Sequence, residues 1–177
     1  MTAPEEVTVK VAAGHLVITT PGRVPQALRE TVRALMLCVA DNGLTGVGLE
    51  VAAMRRRHSK AHRQTLDRLF PPAYRSSVLS ARFELRHGAA IRADLWSAAE
   101  RVLAVLDGPG PIRVPVDAAD DWIRVLGTAR FLYVDRRDRP GRAPDGAAMS
   151  AFLGDVQLRI VTTLRPELPT GEILEEA

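Results

Sequence analysis

The chain has 177 residues, with 24 Lys and Arg against 21 Asp and Glu, a formal charge of +3 and only 5 % aromatics. That length suits one domain with a real core, and the lone cysteine, Cys38, excludes an internal disulfide framework or a Cys-based zinc site. No apolar run reaches the span of a bilayer and the start, Met1–Glu6, is polar and acidic, so a soluble protein of a reducing cytoplasm is expected.

With Ala, Leu and Val dominating over aromatics, the core is expected to be built from helix stripes. Val7–Val11 and His15–Thr19 alternate apolar and polar residues around a short Gly-containing loop, the pattern of a β-hairpin. Pro25 stands where a first helical turn tolerates it, and Leu28, Val32, Leu35 and Val39 recur at helical spacing up to Asn42-Gly43. Because Leu35–Ala40 is apolar all round, the end of this helix should be buried on most sides.

The glycines at 43, 46 and 48 indicate a loop, and a short helix is expected over Lys60–Phe70, stopped by Pro71-Pro72. A longer helix follows from about Ser76 to Leu106, with Phe83, Ile91, Leu95, Ala98, Val102 and Leu106 near one face and Gly88 marking a bend or break. Ile112–Val114 is at most a short extended piece. Asp117 reads as the N-cap of a helix carrying Trp122, Leu126, Ala129 and Tyr133. The run Arg136–Pro144 reads as an exposed loop. A last helix over about Gly146–Leu164 bears the stripe Met149, Phe152, Val156, Ile160, Leu164.

The expected architecture is therefore predominantly α-helical (α+β), an N-terminal β-hairpin on a bundle of about four to five helices. A single domain spans residues 1–165, with the hairpin at 7–19 and the bundle at 25–165; residues 166–177 form a flexible acidic tail.

Charge is distributed unevenly. Between Met54 and Arg92 stand ten Lys or Arg residues against two carboxylates, Asp67 and Glu84. Only Lys10 and Lys60 are lysines, a skew that a GC-rich codon bias explains; such a bias accounts for Arg in place of Lys but not for the clustering. A concentrated positive field is met most often by phosphates or by an acidic protein surface. Arg55, Arg56, Arg57, Lys60, Arg63 and Arg68 are the candidate contacts to DNA or to an acidic protein partner such as a transcription factor. Arg82 and Arg86 flank Glu84, so ordinary pairing on a helix surface competes with that reading. No helix-turn-helix, basic zipper or aromatic stacking platform accompanies the cations.

Nothing in the sequence assembles a reaction centre. No serine occupies a nucleophile elbow, and Cys38 sits in an apolar helix run, where a packed thiol is the ordinary outcome and a redox-sensitive thiol the alternative. His58 and His62 share helical spacing, but Ser59 stands where the metalloprotease pattern needs glutamate, and Arg57, Lys60 and Arg63 repel a divalent cation. Asp120 and Asp121 belong in a first helical turn, where the helix dipole favours them. No phosphate loop or dinucleotide fingerprint occurs, so neither a cofactor nor a metal is expected, and the chain reads as a non-enzyme.

Phe152-Leu-Gly-Asp-Val-Gln157, followed by Ile160-Val161 and Leu164, resembles the last-helix pattern of actinobacterial AosR-type oxidative-stress transcriptional regulators, a family first catalogued without a function. The segment Trp122-Ile123 to Leu132, with Arg130, and the turn Leu69–Tyr74 are similar to two further motifs of that family. The motif resemblance covers residues 65–165. It implies a non-enzymatic regulator that binds DNA or partners RNA polymerase factors. The family's Glu-Phe-Arg stands here as Arg82-Phe83-Glu84, and its Asn-Asp as Gly127-Thr128, the marks of a divergent member. The thiol switch that the resemblance suggests is limited, with Cys38 alone, to an intermolecular bridge or oxidation of that thiol. Of the motif residues, Trp122, Phe152, Gly154 and Leu164 read as packing positions, Gly154 permitting close helix approach, and Tyr74 as a structural residue. Arg130 and Gln157 are polar exceptions on apolar stripes, expected either to hydrogen-bond each other or to belong to a partner site. Homo-oligomerisation is left open.

Overall fold

The computed structural model describes residues 6–40, 60–108, 110–133 and 145–168. Strands β1 (Thr8–Ala12) and β2 (His15–Thr19) form the expected hairpin, paired antiparallel from Thr8 opposite Thr19 to Ala12 opposite His15. The two turn residues, Ala13 and Gly14, both have positive φ, 50° and 74°. That is the backbone a tight right-twisted hairpin requires, and holding an alanine there costs about 1 kcal/mol.

A third strand, β3 (Ile112–Pro115), joins the far edge of β2, Ile112 opposite Ile18 and Pro115 opposite His15. The short extended piece is thus a full member of an antiparallel sheet in the order β1-β2-β3. Its alternation is plain once it is paired: Ile112 and Val114 are buried, Arg113 and Pro115 exposed. Pro115 ends the strand, where a missing N–H costs nothing.

Helix α1 (Val24–Val39) opens on Pro25 and buries Leu28, Val32, Leu35, Met36, Cys38 and Val39, so its apolar end is enclosed as the sequence indicates. Helix α2 (Lys60–Leu69) ends at the Pro71-Pro72 pair. The long helix expected from Ser76 is three pieces in line: α3 (Ser77–Phe83), a π-helical turn (Glu84–Gly88) and α4 (Ala89–Leu106). The stripe foreseen along it is buried only from Leu95 onward, through Ala98, Val102 and Leu106. Ile91 remains exposed and α3 buries no residue at all. The wide turn, at i→i+5 spacing, takes Phe83 and Ile91 out of register with that stripe.

Helix α5 (Ala119–Ala129) follows a 3-10 turn, Val116–Ala118. Asp117 lies inside that turn and is not the N-cap; the cap position is Ala118, with no side-chain bond. The extended Pro115 leads straight into the 3-10 turn, which carries the chain two residues past Asp117 before α-helical bonding starts. Another 3-10 turn, Arg130–Leu132, ends α5, and α6 (Asp145–Leu164) is the last described helix.

Helices α1, α4, α5 and α6 pack successively around Trp122, which is 1 % exposed, while α6 covers β1 and α4 backs β3. One polar pair sits within this packing: the buried Thr31 hydroxyl bonds the Tyr133 hydroxyl at 2.8 Å, tying the end of α5 to α1. The C-terminus of α4 is satisfied from α1, with Arg29 Nη2 donating to the Leu106 carbonyl at 2.6 Å and Arg29 and Arg33 both reaching Asp107. A cation at the negative end of a helix is the favourable placement.

Candidate functional site

The basic window is divided by the fold. Arg55, Arg56, Arg57 and His58 lie outside the described residues; the backbones of Lys60, His62 and Arg63 belong to α2, and their side chains likewise lie outside what is described. Arg68 is spent locally, its Nε on the Gln64 carbonyl at 3.1 Å and its Nη2 on the Thr65 hydroxyl at 3.2 Å. Of the remaining cations, Arg92 stands on α4, and Arg75, Arg82 and Arg86 gather on the arm formed by the Pro71–Ser76 turn, α3 and the π turn.

Local bonds make that arm. Ser76 caps α3, accepting from the Leu79 N–H, while the Ser80 hydroxyl accepts from the Tyr74 N–H at 3.0 Å and donates to the Tyr74 carbonyl at 2.7 Å. Tyr74 then meets Phe83 edge-on and Phe83 meets His87 at a tilt, with ring centroids 6.1 Å and 4.9 Å apart. Tyr74 is half exposed, so it holds the arm together and is no core residue. Glu84 does not pair with Arg82 or Arg86; it reaches across the π turn to Arg92, whose guanidinium also lies 5.8 Å from the Phe70 ring centroid. The Glu84 carboxylate occupies the space a Cβ at position 88 would take, which is the requirement Gly88 meets. Between α2 and the arm opens a cavity of about 610 Å³, lined largely by Leu66, Leu69, Phe70, Phe83 and Ile91, with the Glu84–Arg92 pair at its side.

On the outer side of the arm, Arg75, Arg82 and Arg86 are exposed and, among the described residues, meet no carboxylate. They stand among the exposed apolar side chains Val78, Leu79 and Leu85, the last 88 % accessible. Cations interleaved with aliphatic surface on one projecting element are the composition of a docking face. Two identical copies would bring these arginines against each other in an isologous contact, so an acidic surface is the complementary one.

The other half of the molecule treats its charges differently. Arg101 binds Asp121 through both guanidinium nitrogens, at 2.6 Å and 3.0 Å, and Arg124 bridges Asp94 and Asp121, fastening α4 to α5. The Arg101 hydrogen bond, ahead of the opposing effect of burial, holds the Asp121 carboxyl below the ordinary carboxylate range. Asp120 stays exposed, whereas Asp121 is held by Arg101 and Arg124. Arg159 pairs with Asp155 and with Glu6.

The polar motif residues meet at the α5–α6 contact. Gln157 and Arg130 do not bond each other: Gln157 Nε2 donates to the Ile123 carbonyl at 3.1 Å, over Gly127, and Arg130 lies over Gly154. Each long side chain thus fills the space a glycine leaves on the opposite helix. Trp122 is packed as expected, Phe152 is half buried against the same core, and what Gly154 makes room for is the Arg130 side chain. Arg130, Gly154 and Gln157 with Ala151, Leu158 and Val161 line a shallow depression of about 420 Å³. Sequence reasoning singled out Arg130, Gly154 and Gln157 but not their pairing with Gly127 and Ile123; the Gly127–Gln157 apposition lies 30 positions apart and leaves no local signal.

Cys38 is 9 % exposed and belongs to the core cluster, the surroundings of a packed thiol. Among the described residues no three His, Cys, Asp or Glu side chains converge as a metal site, and no helix is long and apolar enough to cross a membrane. The profile of a family described as a domain of unknown function, DUF2017, matches residues 10–164. No curated protein and no solved structure matches the chain.

Proposed function

From a chain that belongs to the DUF2017 family, whose description carries no activity, we propose a non-enzymatic, transcription-associated cytoplasmic regulator that docks an acidic partner protein through its basic arm. The observation that carries this reading is the projecting α3 arm, where Arg75, Arg82 and Arg86 stand unpaired among exposed Val78, Leu79 and Leu85. A transcription factor or an RNA polymerase subunit with an acidic, partly apolar surface matches both halves of that composition. The resemblance of Phe152–Leu164 and Trp122–Leu132 to AosR-type regulators supports a transcriptional setting and suggests oxidative stress as its occasion.

Duplex DNA is the second reading, favoured by the arginine density of the 55–92 window; it makes no use of the exposed Val78, Leu79 and Leu85. An adaptor outside transcription is the alternative for the same face.

The test pairs two binding measurements on the full chain with a variant carrying R75E, R82E and R86E. Binding to purified RNA polymerase holoenzyme that is lost in the variant supports the docking reading. Binding to duplex DNA that falls about tenfold or more between roughly 50 and 200 mM salt transfers it to DNA. Wild-type protein that binds neither overturns the transcriptional reading.

A further inference from the structure

The turn that ends α5 is tied to the body of the fold. Tyr133 N–H bonds the Arg130 carbonyl at 3.1 Å, and the Tyr133 hydroxyl is tied to buried Thr31, so the Arg130 backbone is anchored to α1. Its guanidinium lies broadside on α6. The carbon Cζ, Nε and Nη1 stand 3.0, 3.2 and 3.3 Å from where a Cβ of residue 154 would be, contact that only glycine leaves open. Arg101, Arg124 and Arg159, on the neighbouring helices, are all ion-paired. Arg130, among the described residues, meets no carboxylate and makes no side-chain hydrogen bond.

A guanidinium laid flat on a helix and left unpaired is preorganised: binding an anion costs it little further freedom. Around it, Leu158 is 53 % exposed, Ala151 is exposed and Val161 half-buried, and together they form the apolar wall of the depression of about 420 Å³. On its other side the Gln157 amide is fixed by its bond to Ile123, which sets the position of its oxygen.

We propose that this depression binds one carboxylate of an acidic partner segment, a Glu or Asp side chain with an aliphatic residue next to it. The carboxylate takes the Arg130 fork, the aliphatic side chain covers Leu158, and Gln157 Oε1 accepts a backbone N–H of the segment. Charge complementarity selects this occupant. A phosphate backbone needs several cations in a row, whereas Arg130 is the single cation lining this depression, beside an apolar wall. The proposal rests on reading the chain as one that docks acidic partners, but it makes no use of the arm.

The probe is acetyl-Glu-Leu-amide, titrated into the 15N-labelled full chain, with acetyl-Gln-Leu-amide as the neutral control. Saturable shifts of the Gly154 amide and the Gln157 side-chain amide are expected with the Glu peptide only. The R130Q variant should weaken binding about tenfold or more, the worth of a charge-assisted hydrogen bond. R113Q, which removes an exposed cation on β3, should leave it unchanged. Equal shifts with the Gln peptide, no saturation, or full binding by a folded R130Q would overturn the proposal. Because the arm takes no part, loss of arm-dependent docking would leave this result untouched, and the reverse also holds. A duplex oligonucleotide that moves these resonances while the Glu peptide does not would overturn it as well.

Discussion

The contact between α5 and α6 is decided by single atoms. An alanine at position 127 would put its Cβ 2.7 Å from Gln157 Nε2, so the amide must swing away and give up the Ile123 carbonyl. The swing itself is cheap, because the amide ends a flexible side chain. The lost hydrogen bond is worth about 1 kcal/mol, close to the gain of about 1 kcal/mol from replacing a helical glycine by alanine. Gly127→Ala alone should therefore change stability little. Made in a Gln157→Ala background, where no amide is displaced, the same substitution should stabilise by about 1 kcal/mol. Urea denaturation of the four proteins in this cycle measures the difference. Equal effects in both backgrounds would mean that Gln157 does not occupy the space over Gly127.

At the scale of the elements, burial separates scaffold from docking face. Trp122 is 1 % exposed at the centre of α5, and replacing it with alanine should cost about 3–5 kcal/mol. Leu85, 88 % exposed on the arm, should tolerate serine within about 0.5 kcal/mol. Chemical denaturation of the two variants checks both, and a large loss at Leu85 would show that the arm packs on something. The same contrast explains what could be read from the sequence. The stripes of α1, α5 and α6 were legible because each buries one face at helical period. The hairpin was legible from its alternation. Strand β3 was not, since four residues ending in proline resemble a loop until β2 pairs with them. Gly88 announced an interruption but not its form, a π turn over which Glu84 folds across Gly88 to reach Arg92. Asp117 misled for a related reason, as an acidic residue serves a 3-10 turn and an N-cap equally well. The charge cluster was legible as composition, but which of its members stay unpaired depends on where its few carboxylates reach, as Glu84 does to Arg92 across the π turn.

Across the whole molecule, that division of charge coincides with a division of packing. The side built from α4, α5 and α6 neutralises its arginines, Arg130 apart, in pairs such as Arg101–Asp121 and Arg159–Asp155, and it buries the Leu, Val and Trp core. The arm from Pro71 to Gly88 leaves Arg75, Arg82 and Arg86 open, and only its last residue, Gly88, is buried. Its helical hydrogen bonds face water, and local bonds from Ser76 and Ser80 hold it, so it should open at small cost without unfolding the rest. Native-state amide exchange is expected to show Ser77–His87 less protected than Trp122–Leu126 by about two orders of magnitude or more. A partner that docks on the arm must supply the ordering free energy itself, so saturating amounts should raise protection in Ser77–His87 while leaving Trp122–Leu126 near its starting value. Arm amides as slow as those of α5 in the free protein would mean that α3 is part of the cooperative core. The arginines it carries would then be the solvated rim of a structural helix, with no docking face to order.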